Sequence, residues 1–299
     1  MWDLLILGLI HVYQEIKHHE MRLLRTFHGR PADRLKCMLY VTNMPAYSKQ
    51  HVGTDIVPYT CLSYWTGNSH ESPGDLIAIY YDTGSQGKHQ ILSALNRYDD
   101  FYISDNLKAG LLKIRHSHKD VDVWVDALCV DMKNLSERSD HVSKMAVILH
   151  GAKMILAWLG HDHRETSSFF RFLCSILNLR HLEHIIETKA APENWISVLN
   201  WMSNRYFTRR WVLQELVFSR KVVVQCGDQA LLWSDFEDAI SLILQNFSAI
   251  EKIFNPSHFD RHFSEYQYDH AAACVRAKRQ ILRRSCLIRL CRRTLLWKS

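Results

Sequence analysis

Alternation of apolar and polar side chains is clearest near the middle of the chain. In VDVWVDA (residues 121–127) three valines alternate with Asp122, Trp124 and Asp126. This two-residue period is typical of a strand with one face in a protein core. Similar apolar runs predict six further strands. The predicted strands cover residues 21–27, 35–41, 59–64, 76–81, 121–127, 153–159 and 221–226.

Helical patterns lie between several of these strands. Ser104 can cap a helix with Leu107 and Leu111 on its apolar stripe, and Ser136 can cap another that carries Met145 and Leu149. Further helices are predicted at 208–218 and 234–246 and, as insertions, within 162–204. This order of elements predicts an α/β fold with a mainly parallel sheet flanked by helices.

Composition divides the chain into a central domain and two extensions. Residues 1–20 are predicted to form an apolar N-terminal extension, residues 21–246 the α/β domain, and residues 247–299 a C-terminal extension with a basic tail. The run WDLLILGLI lacks the basic region and cleavage site of a signal peptide and is too short to span a bilayer. We expect it to pack against the protein, with contact with a membrane surface as the alternative, and we expect no transmembrane segment.

The net charge of +6 comes from the C-terminal tail. Residues 271–299 hold nine Lys or Arg and no Asp or Glu, which leaves 28 basic against 31 acidic residues elsewhere. The first interpretation is a solvated or disordered tail, and contact with an anionic membrane surface or a nucleic acid is the alternative. Aromatic residues are not interleaved with the basic ones as base stacking would require, which makes nucleic-acid binding the least favoured function.

The cysteines and histidines argue against disulfide and metal frameworks. The eight cysteines contain no CxxC pair and several lie in apolar runs, as in reduced proteins of the cytoplasm. The eighteen histidines form pairs such as His161 with His163, but none has a complete set of ligands at metal-binding spacing. We therefore predict a cytoplasmic protein with no metal.

Two acidic residues and a thiol are candidates around the central strand. Asp126 lies near the strand end, where α/β folds build their sites. Cys129 has Asp126 and Asp131 as sequence neighbours, which raise rather than lower a thiol pKa, so a buried structural role is favoured over a nucleophile. Glu137 follows Ser136 in the first turn of a helix and is expected to satisfy backbone donors and the helix dipole there.

A third acidic candidate lies in FTRRWVLQELVF (residues 207–218). A helix places Trp211 and Glu215 on one face, where the aromatic ring can shelter a ligand and hold the acid partly desolvated. A glutamate that follows two arginines is also a common ion-pair partner. The residues alone leave both interpretations open.

Six motifs follow one another in a fixed order from residue 59. They are YTCLSY (59–64), ISDNLKAGLLKIR (103–115), WVDALCVDMKNLSERSDHVSKM (124–145), AKMILAWLG (152–160), YFTRRWVLQE (206–215), and Cys226-Gly227 followed by Trp233. In this order and spacing the chain resembles the fungal heterokaryon incompatibility (HET) domain over roughly residues 59–239, with a weaker match from Met21.

Three positions differ from the pattern of that family. Its Trp-Gly pair after Leu-Ser-Tyr is here Trp65-Thr66-Gly67, and its Cys-Ile-Asn-Gln is Cys129-Val130-Asp131-Met132. A glutamine after its Glu-Arg pair is replaced by His141.

The resemblance implies a fungal protein of self/non-self recognition, a form of innate immunity, and of programmed cell death. The HET domain is similar to Toll/interleukin receptor (TIR) domains, which have a flavodoxin-like fold. Some TIR domains cleave the nicotinamide–ribose bond of NAD with a glutamate in a Trp-Cys-x-x-Glu-Leu motif, and Trp211-Val-Leu-Gln-Glu215-Leu216 is similar to it. The resemblance thus implies a catalytic Glu215, with NAD as substrate and no cofactor.

Further residues take roles from the same resemblance. Trp211, Asp126, Tyr64 and Ser63 are expected to bind substrate, and the motif or structural positions are Gly67, Cys129, Glu137, Arg138, Arg210 and Gln214. The alternative function is a non-catalytic signalling module that acts by self-assembly and through protein partners of an incompatibility system. A third is a basic-tailed binder of nucleic acid or anionic membrane.

Overall fold

The alternating stretches of the sequence form strands in the computed structural model, which describes residues 13, 15–44, 57–66, 75–81, 98–209, 211–254 and 270–281. The chain is organised in two units. One comprises Met1–His161 with Phe218–Val222, and the other comprises Asp162–Val217 with Val223–Ser299.

Strands of the first unit form one sheet in the order β5-β4-β2-β1-β6-β3-β7. Their bounds are β1 Glu20–Thr26, β2 Lys36–Asn43, β3 Thr60–Tyr64, β4 Asp75–Tyr81, β5 Tyr98–Ile103, β6 Val121–Trp124 and β7 Met154–Trp158. Strand β3 is parallel to β6 and β7, and β2 is parallel to β4. Strand β1 is antiparallel to both β2 and β6, and β5 is antiparallel to β4. All strands described in this unit except β1 and β5 therefore run in one direction, and the predicted α/β fold with a mainly parallel sheet is confirmed.

The first unit has three described helices: α1 Asp105–Ile114, α2 Asp126–Cys129 and α3 Leu135–Gly151. Ser104 caps α1 as predicted, because its hydroxyl accepts the N–H of Leu107. Gly110 lets α1 approach β3 closely, since a Cβ atom there would lie 3.1 Å from both methyl groups of Leu62. The return segment Phe218–Val222 runs beside β7, where the carbonyl of Lys221 accepts the N–H of Ile155.

Two predicted boundaries in this unit are wrong. The strand expected over residues 121–127 ends at Trp124, and Asp126 is already in the first turn of α2. The expected cap Ser136 lies inside α3, whose cap is Asn134 with its side-chain oxygen on the N–H of Glu137. At the second boundary Asn134 and Ser136 are both suitable caps, so the sequence alone did not decide where α3 begins.

The second unit is mainly helical. Its elements are α4 Thr166–Ile176, α5 Leu179–Glu187, α6 Pro192–Met202, the 3-10 helix Arg205–Thr208, α7 Val212–Phe218, β8 Val222–Cys226, β9 Gln229–Leu232, α8 Trp233–Gln245, α9 Phe247–Glu251 and a helix over residues 270–281. Helices α4, α5 and α6 are the insertion predicted within residues 162–204. The helix expected over residues 208–218 begins only at Val212, as α7, after a 3-10 helix that ends at Thr208. Strands β8 and β9 pair antiparallel.

Aromatic side chains fill much of the core of the second unit. The ring of Phe172 meets Trp195 edge to face at 4.8 Å, and Phe207 stacks on Phe236 at 5.7 Å. Each such pair adds a geometric preference to the burial of a large apolar area. These contacts bring α4 against α6, and the 3-10 helix against α8.

Part of the C-terminal tail is ordered, contrary to the solvated or disordered interpretation. Over residues 270–281 the chain is a helix with Ala271, Ala272 and Val275 buried. The apolar N-terminal run and the tail after residue 281 lie outside the described residues. The predicted boundaries at residues 20 and 246 stay predictions.

Candidate functional site

Parallel strands β3, β6 and β7 end at one edge of the first unit's sheet, and such an edge is where α/β folds commonly bind ligands. The first turn of helix α1 lies at this edge and contains Asn106. The Asn106 side chain donates to the carbonyl of Trp65, at 2.7 Å, and accepts from the indole nitrogen of Trp158, at 2.8 Å. Asn106 thus joins the ends of β3 and β7, a role that its position in ISDNLKAG does not reveal.

Three predicted substrate-binding residues lie at or near this edge. Ser63 and Tyr64 are in β3, opposite Ala157 and Trp158 of β7, and both are buried. Asp126 is half-buried at the start of α2, where its carboxylate accepts the N–H of Ala127 at 2.8 Å. The side chains of Ser63 and Tyr64 therefore belong to the core, and Asp126 makes a local backbone contact. Gly67 lies outside the described residues.

Cys129 is fully buried beneath this edge. Its sulfur accepts the N–H of Val125 at 3.5 Å and donates to the carbonyl of Val123 at 3.8 Å. Burial raises the pKa of the Cys129 thiol to about 12. The thiol stays protonated at neutral pH and is a poor nucleophile, as its acidic sequence neighbours also suggested.

Glu137 makes long-range contacts in addition to the helix-start role expected of it. Its carboxylate accepts two hydrogen bonds from the guanidinium of Arg22 in β1, at 2.5 and 3.2 Å, and one from the N–H of Asp131, at 2.9 Å. The neighbouring Arg138 is exposed on α3. The two residues of the Glu-Arg motif therefore differ in location, since the Glu137 carboxylate is largely buried and Arg138 is at the surface.

His141 is a buried residue that the sequence motif alone did not single out as a site. It is 5% exposed, and its ring stacks on the indole of Trp124 with an angle of 9° between the planes. Within the described residues, neither ring nitrogen of His141 nor the indole nitrogen of Trp124 has a hydrogen-bond partner. Burial lowers the pKa of His141, which keeps the ring neutral. The sequence feature that could have drawn attention to His141 is that it replaces a glutamine of the family pattern.

The predicted catalytic residue lies in the second unit. Glu215 is 6% exposed, and its carboxylate pairs with the guanidinium of Arg209 at 3.3 Å. Trp211 directly precedes α7 and accepts the N–H of Glu215 at its carbonyl, at 3.0 Å. Gln214 is half-buried, and Arg210 lies outside the described residues. The ion-pair interpretation of Glu215 thus describes its position, with Arg209 as the partner.

Among the described residues, no group of three or more His, Cys, Asp or Glu side chains is arranged to hold a metal ion. In the same part of the chain, no helix combines the length and apolar character needed to cross a bilayer.

The chain is similar in sequence to known proteins. A relative named heterokaryon incompatibility protein 6, OR allele, from Neurospora crassa, is 21% identical over 199 residues, covering 52% of this chain and 29% of that protein. The chain thus spans less than a third of that relative, and no solved structure matches it. The family model for heterokaryon incompatibility protein (HET) matches residues 59–215. Since this match covers more than half of the chain, the protein belongs to the heterokaryon incompatibility (HET) family.

Proposed function

We propose that this protein acts in fungal heterokaryon incompatibility as a signalling module, through contacts with copies of itself and with other proteins. Membership of the family supports the process, as does the name of the Neurospora crassa relative. The described cysteines are all free, which supports action in a reducing compartment such as the cytoplasm. Programmed cell death is the cellular outcome that we propose for this signal.

The buried ion pair of Glu215 is the observation that favours a signalling module over an enzyme. Its carboxylate is buried and paired with Arg209, which also packs over the ring of Tyr206 at 5.7 Å. This pair occupies one oxygen of the Glu215 carboxylate and neutralises the charge that a catalytic glutamate would offer, and removing one member of a buried ion pair costs about 3–5 kcal/mol. The contact therefore supports a structural role for Glu215, which holds the start of α7 against the 3-10 helix.

Hydrolysis of NAD is a second candidate, favoured by the Trp211-to-Leu216 motif. In this reaction the bond between ribose C1′ and the nicotinamide nitrogen breaks, nicotinamide leaves, and water adds at C1′ with loss of a proton. The oxocarbenium-like transition state carries positive charge that an ionised Glu215 would stabilise. Trp211 would be the aromatic residue beside it, and the substrate-binding roles of Ser63, Tyr64 and Asp126 stay predictions.

One pair of assays separates the two candidates. The full chain is purified, concentrated with a crowding agent and tested for nicotinamide release from NAD, beside Glu215→Gln. Both forms are also expressed in a fungal host and scored for cell death. For the signalling module we expect no release above buffer, and death that Glu215→Gln preserves where folding is preserved. Release that disappears in a folded Glu215→Gln protein would instead establish the hydrolase.

The Arg209→Gln variant controls for the ion pair. It removes the guanidinium of the Arg209–Glu215 ion pair and leaves the carboxylate itself in place. A structural pair predicts that Arg209→Gln and Glu215→Gln lose thermal stability to a similar extent. If the protein is a hydrolase, Glu215→Gln should abolish nicotinamide release, and its loss of stability should be too small to explain that effect.

A further inference from the structure

A cavity of about 350 Å³ opens in the second unit, between the start of α4 and the end of α6. Its walls are formed by His163, Arg164, Glu165, Asn200, Trp201 and Asn204. This volume is at the lower end of the range for small-molecule sites and is sufficient for one ring system with a sugar. None of these six residues belongs to the motif of Glu215.

Trp201 gives the cavity a rigid aromatic wall. One face of its indole stacks on Phe169, with ring centroids 4.9 Å apart and an angle of 11° between the planes. Phe170 meets the same indole edge to face at 6.4 Å. Both phenylalanines are buried, while Trp201 is half-buried. The indole is thus fixed from behind, and its remaining surface can stack on a planar ligand with little loss of side-chain freedom.

Two amides flank the indole. Asn200 is exposed and offers a hydrogen-bond donor and an acceptor in one plane. The side-chain oxygen of Asn204 accepts the N–H of Tyr206 at 2.9 Å, which fixes the orientation of that amide in the cavity wall. A paired donor and acceptor beside an aromatic plane matches the edge of a nucleobase, and Asn binds adenine in this way.

Opposite charges complete the wall on the side of α4. Arg164 and Glu165 are both exposed, so each can reach a ligand without breaking a buried contact. A carboxylate accepts hydrogen bonds from sugar hydroxyls, and a guanidinium binds a phosphate. The loop that carries them is anchored, because the N–H of His163 donates to the hydroxyl of the buried Thr166 at 2.8 Å.

We propose that this cavity binds a nucleoside monophosphate, with its base stacked on Trp201. Asn200 then reads the edge of the base, Glu165 accepts from the ribose hydroxyls, and Arg164 holds the phosphate. An inorganic anion alone would make no stacking contact with Trp201. A purely apolar ligand would make no hydrogen bonds with Arg164 or Glu165. Occupancy of this site is a property separate from the role of Glu215.

Calorimetric titration of the full chain with AMP, adenosine and inorganic phosphate tests the proposal. We expect AMP to bind with a Kd below about 1 mM, adenosine to bind roughly tenfold more weakly, and phosphate alone to give no measurable binding. Arg164→Ala is expected to weaken AMP about tenfold and to leave adenosine unchanged. Asn200→Ala is expected to weaken both ligands about fivefold.

The controls separate a site from a general effect. Arg171→Ala removes an exposed arginine of α4 that lies outside the cavity wall, and this variant should bind AMP as the wild type does. Arg164 and Asn200 are exposed, so their variants are expected to fold, and circular dichroism is the check. Glu215→Gln should retain AMP binding, which keeps this result independent of the proposed function. Absence of AMP binding, or AMP binding that Arg164→Ala and Asn200→Ala leave unchanged, would overturn the proposal.

Discussion

The guanidinium of Arg22 and the carboxylate of Glu137 form a two-point ion pair between β1 and α3, with side chains only 2% and 9% exposed. Tyr13 packs over the same guanidinium at 4.8 Å, and the N–H of Asp131 donates to the carboxylate. One glutamate therefore ties together β1, the turn after α2 and the first turn of α3. The LSERSDH segment of this chain therefore has a structural role, because its glutamate connects three elements of the first unit.

Breaking this ion pair should be costly. Arg22→Met leaves the Glu137 carboxylate buried without its cation, and we expect the free energy of unfolding to fall by about 3–5 kcal/mol. Urea denaturation followed by circular dichroism measures the loss. The double variant Arg22→Met/Glu137→Leu removes both charges and should recover much of it.

A surface pair provides the control. Lys17 and Glu20 are 3.9 Å apart, with the Lys17 side chain 75% exposed, so Lys17→Ala should change the free energy of unfolding by less than about 1 kcal/mol. An Arg22→Met effect as small as that of Lys17→Ala would contradict the structural role assigned to the buried pair.

Protonation of His141 should make the protein sensitive to mild acid. The ring faces Glu137 and Asp140 of its own helix, Lys144, which pairs with Asp140, and Arg22 of β1. Burial is the main cause of its lowered pKa. Below about pH 6.5 the unfolded chain binds a proton at this residue and the folded chain does not, so stability falls as the pH decreases from there.

His141→Gln restores the residue of the family pattern and cannot titrate. We expect the midpoint of urea denaturation to change less between pH 7 and about pH 5 in this variant than in the wild type. His118→Gln removes an exposed histidine of the same unit and should retain the wild-type dependence. Equal pH dependence in all three proteins would show that His141 is not the group responsible.

Sequence patterns predicted the strands with two exceptions, and each exception has a physical reason. Strand β5 lies at the edge of the sheet and has the sequence YDDFYI. Its two adjacent aspartates interrupt the alternation of apolar and polar residues. Strand β9 has four residues and depends on the hairpin at Gly227. The candidate site was less predictable, because Arg22 and Glu137 are separated by 115 positions and no local pattern connects them.

Local contacts were easier to predict from the sequence. Glu215 follows Arg209 by six positions, so an ion pair with an adjacent arginine could be proposed from FTRRWVLQE. The stacking of His141 on Trp124 could not, because it requires the packing of α3 on β6. Periodicity thus predicts which face of an element is buried, while the partner of a buried polar group depends on tertiary packing.

Gly227 should be intolerant of any side chain. Its φ angle is +51°, and a Cβ atom there would meet the side chain of Asp162 and lie 2.8 Å from the Asp162 Cα. Left-handed backbone alone costs a non-glycine residue about 1–2 kcal/mol, and the contact with backbone cannot relax easily. We expect Gly227→Ala to lower the melting temperature by at least several degrees, as measured by circular dichroism. Gly29→Ala, where the nearest atoms are 3.4 Å away, should have little effect, and equal melting temperatures for both variants would refute the steric argument.

Glu237 should hold the helix over residues 270–281 in place. Its carboxylate accepts from Lys278 at 3.1 Å, from Arg279 at 3.0 Å and from the indole of Trp233 at 2.8 Å. Burial by itself raises the pKa of Glu237, but the hydrogen bonds from Lys278 and Arg279 outweigh it, and the pKa is lowered. This stabilisation is present above about pH 4.5 and is lost as the pH falls through the lowered pKa of the folded state.

Hydrogen exchange resolves whether this carboxylate is the attachment point. We expect Glu237→Gln to speed amide exchange across residues 270–281 by about tenfold or more at pH 7, because three contacts lose their charged acceptor. Asp238→Asn is the matched control, since its carboxylate is 65% exposed and contacts Arg279 alone among these three donors. If Glu237→Gln does not speed exchange, the helix is held by its buried Ala271, Ala272 and Val275, and the charges of the basic segment contribute little to its docking.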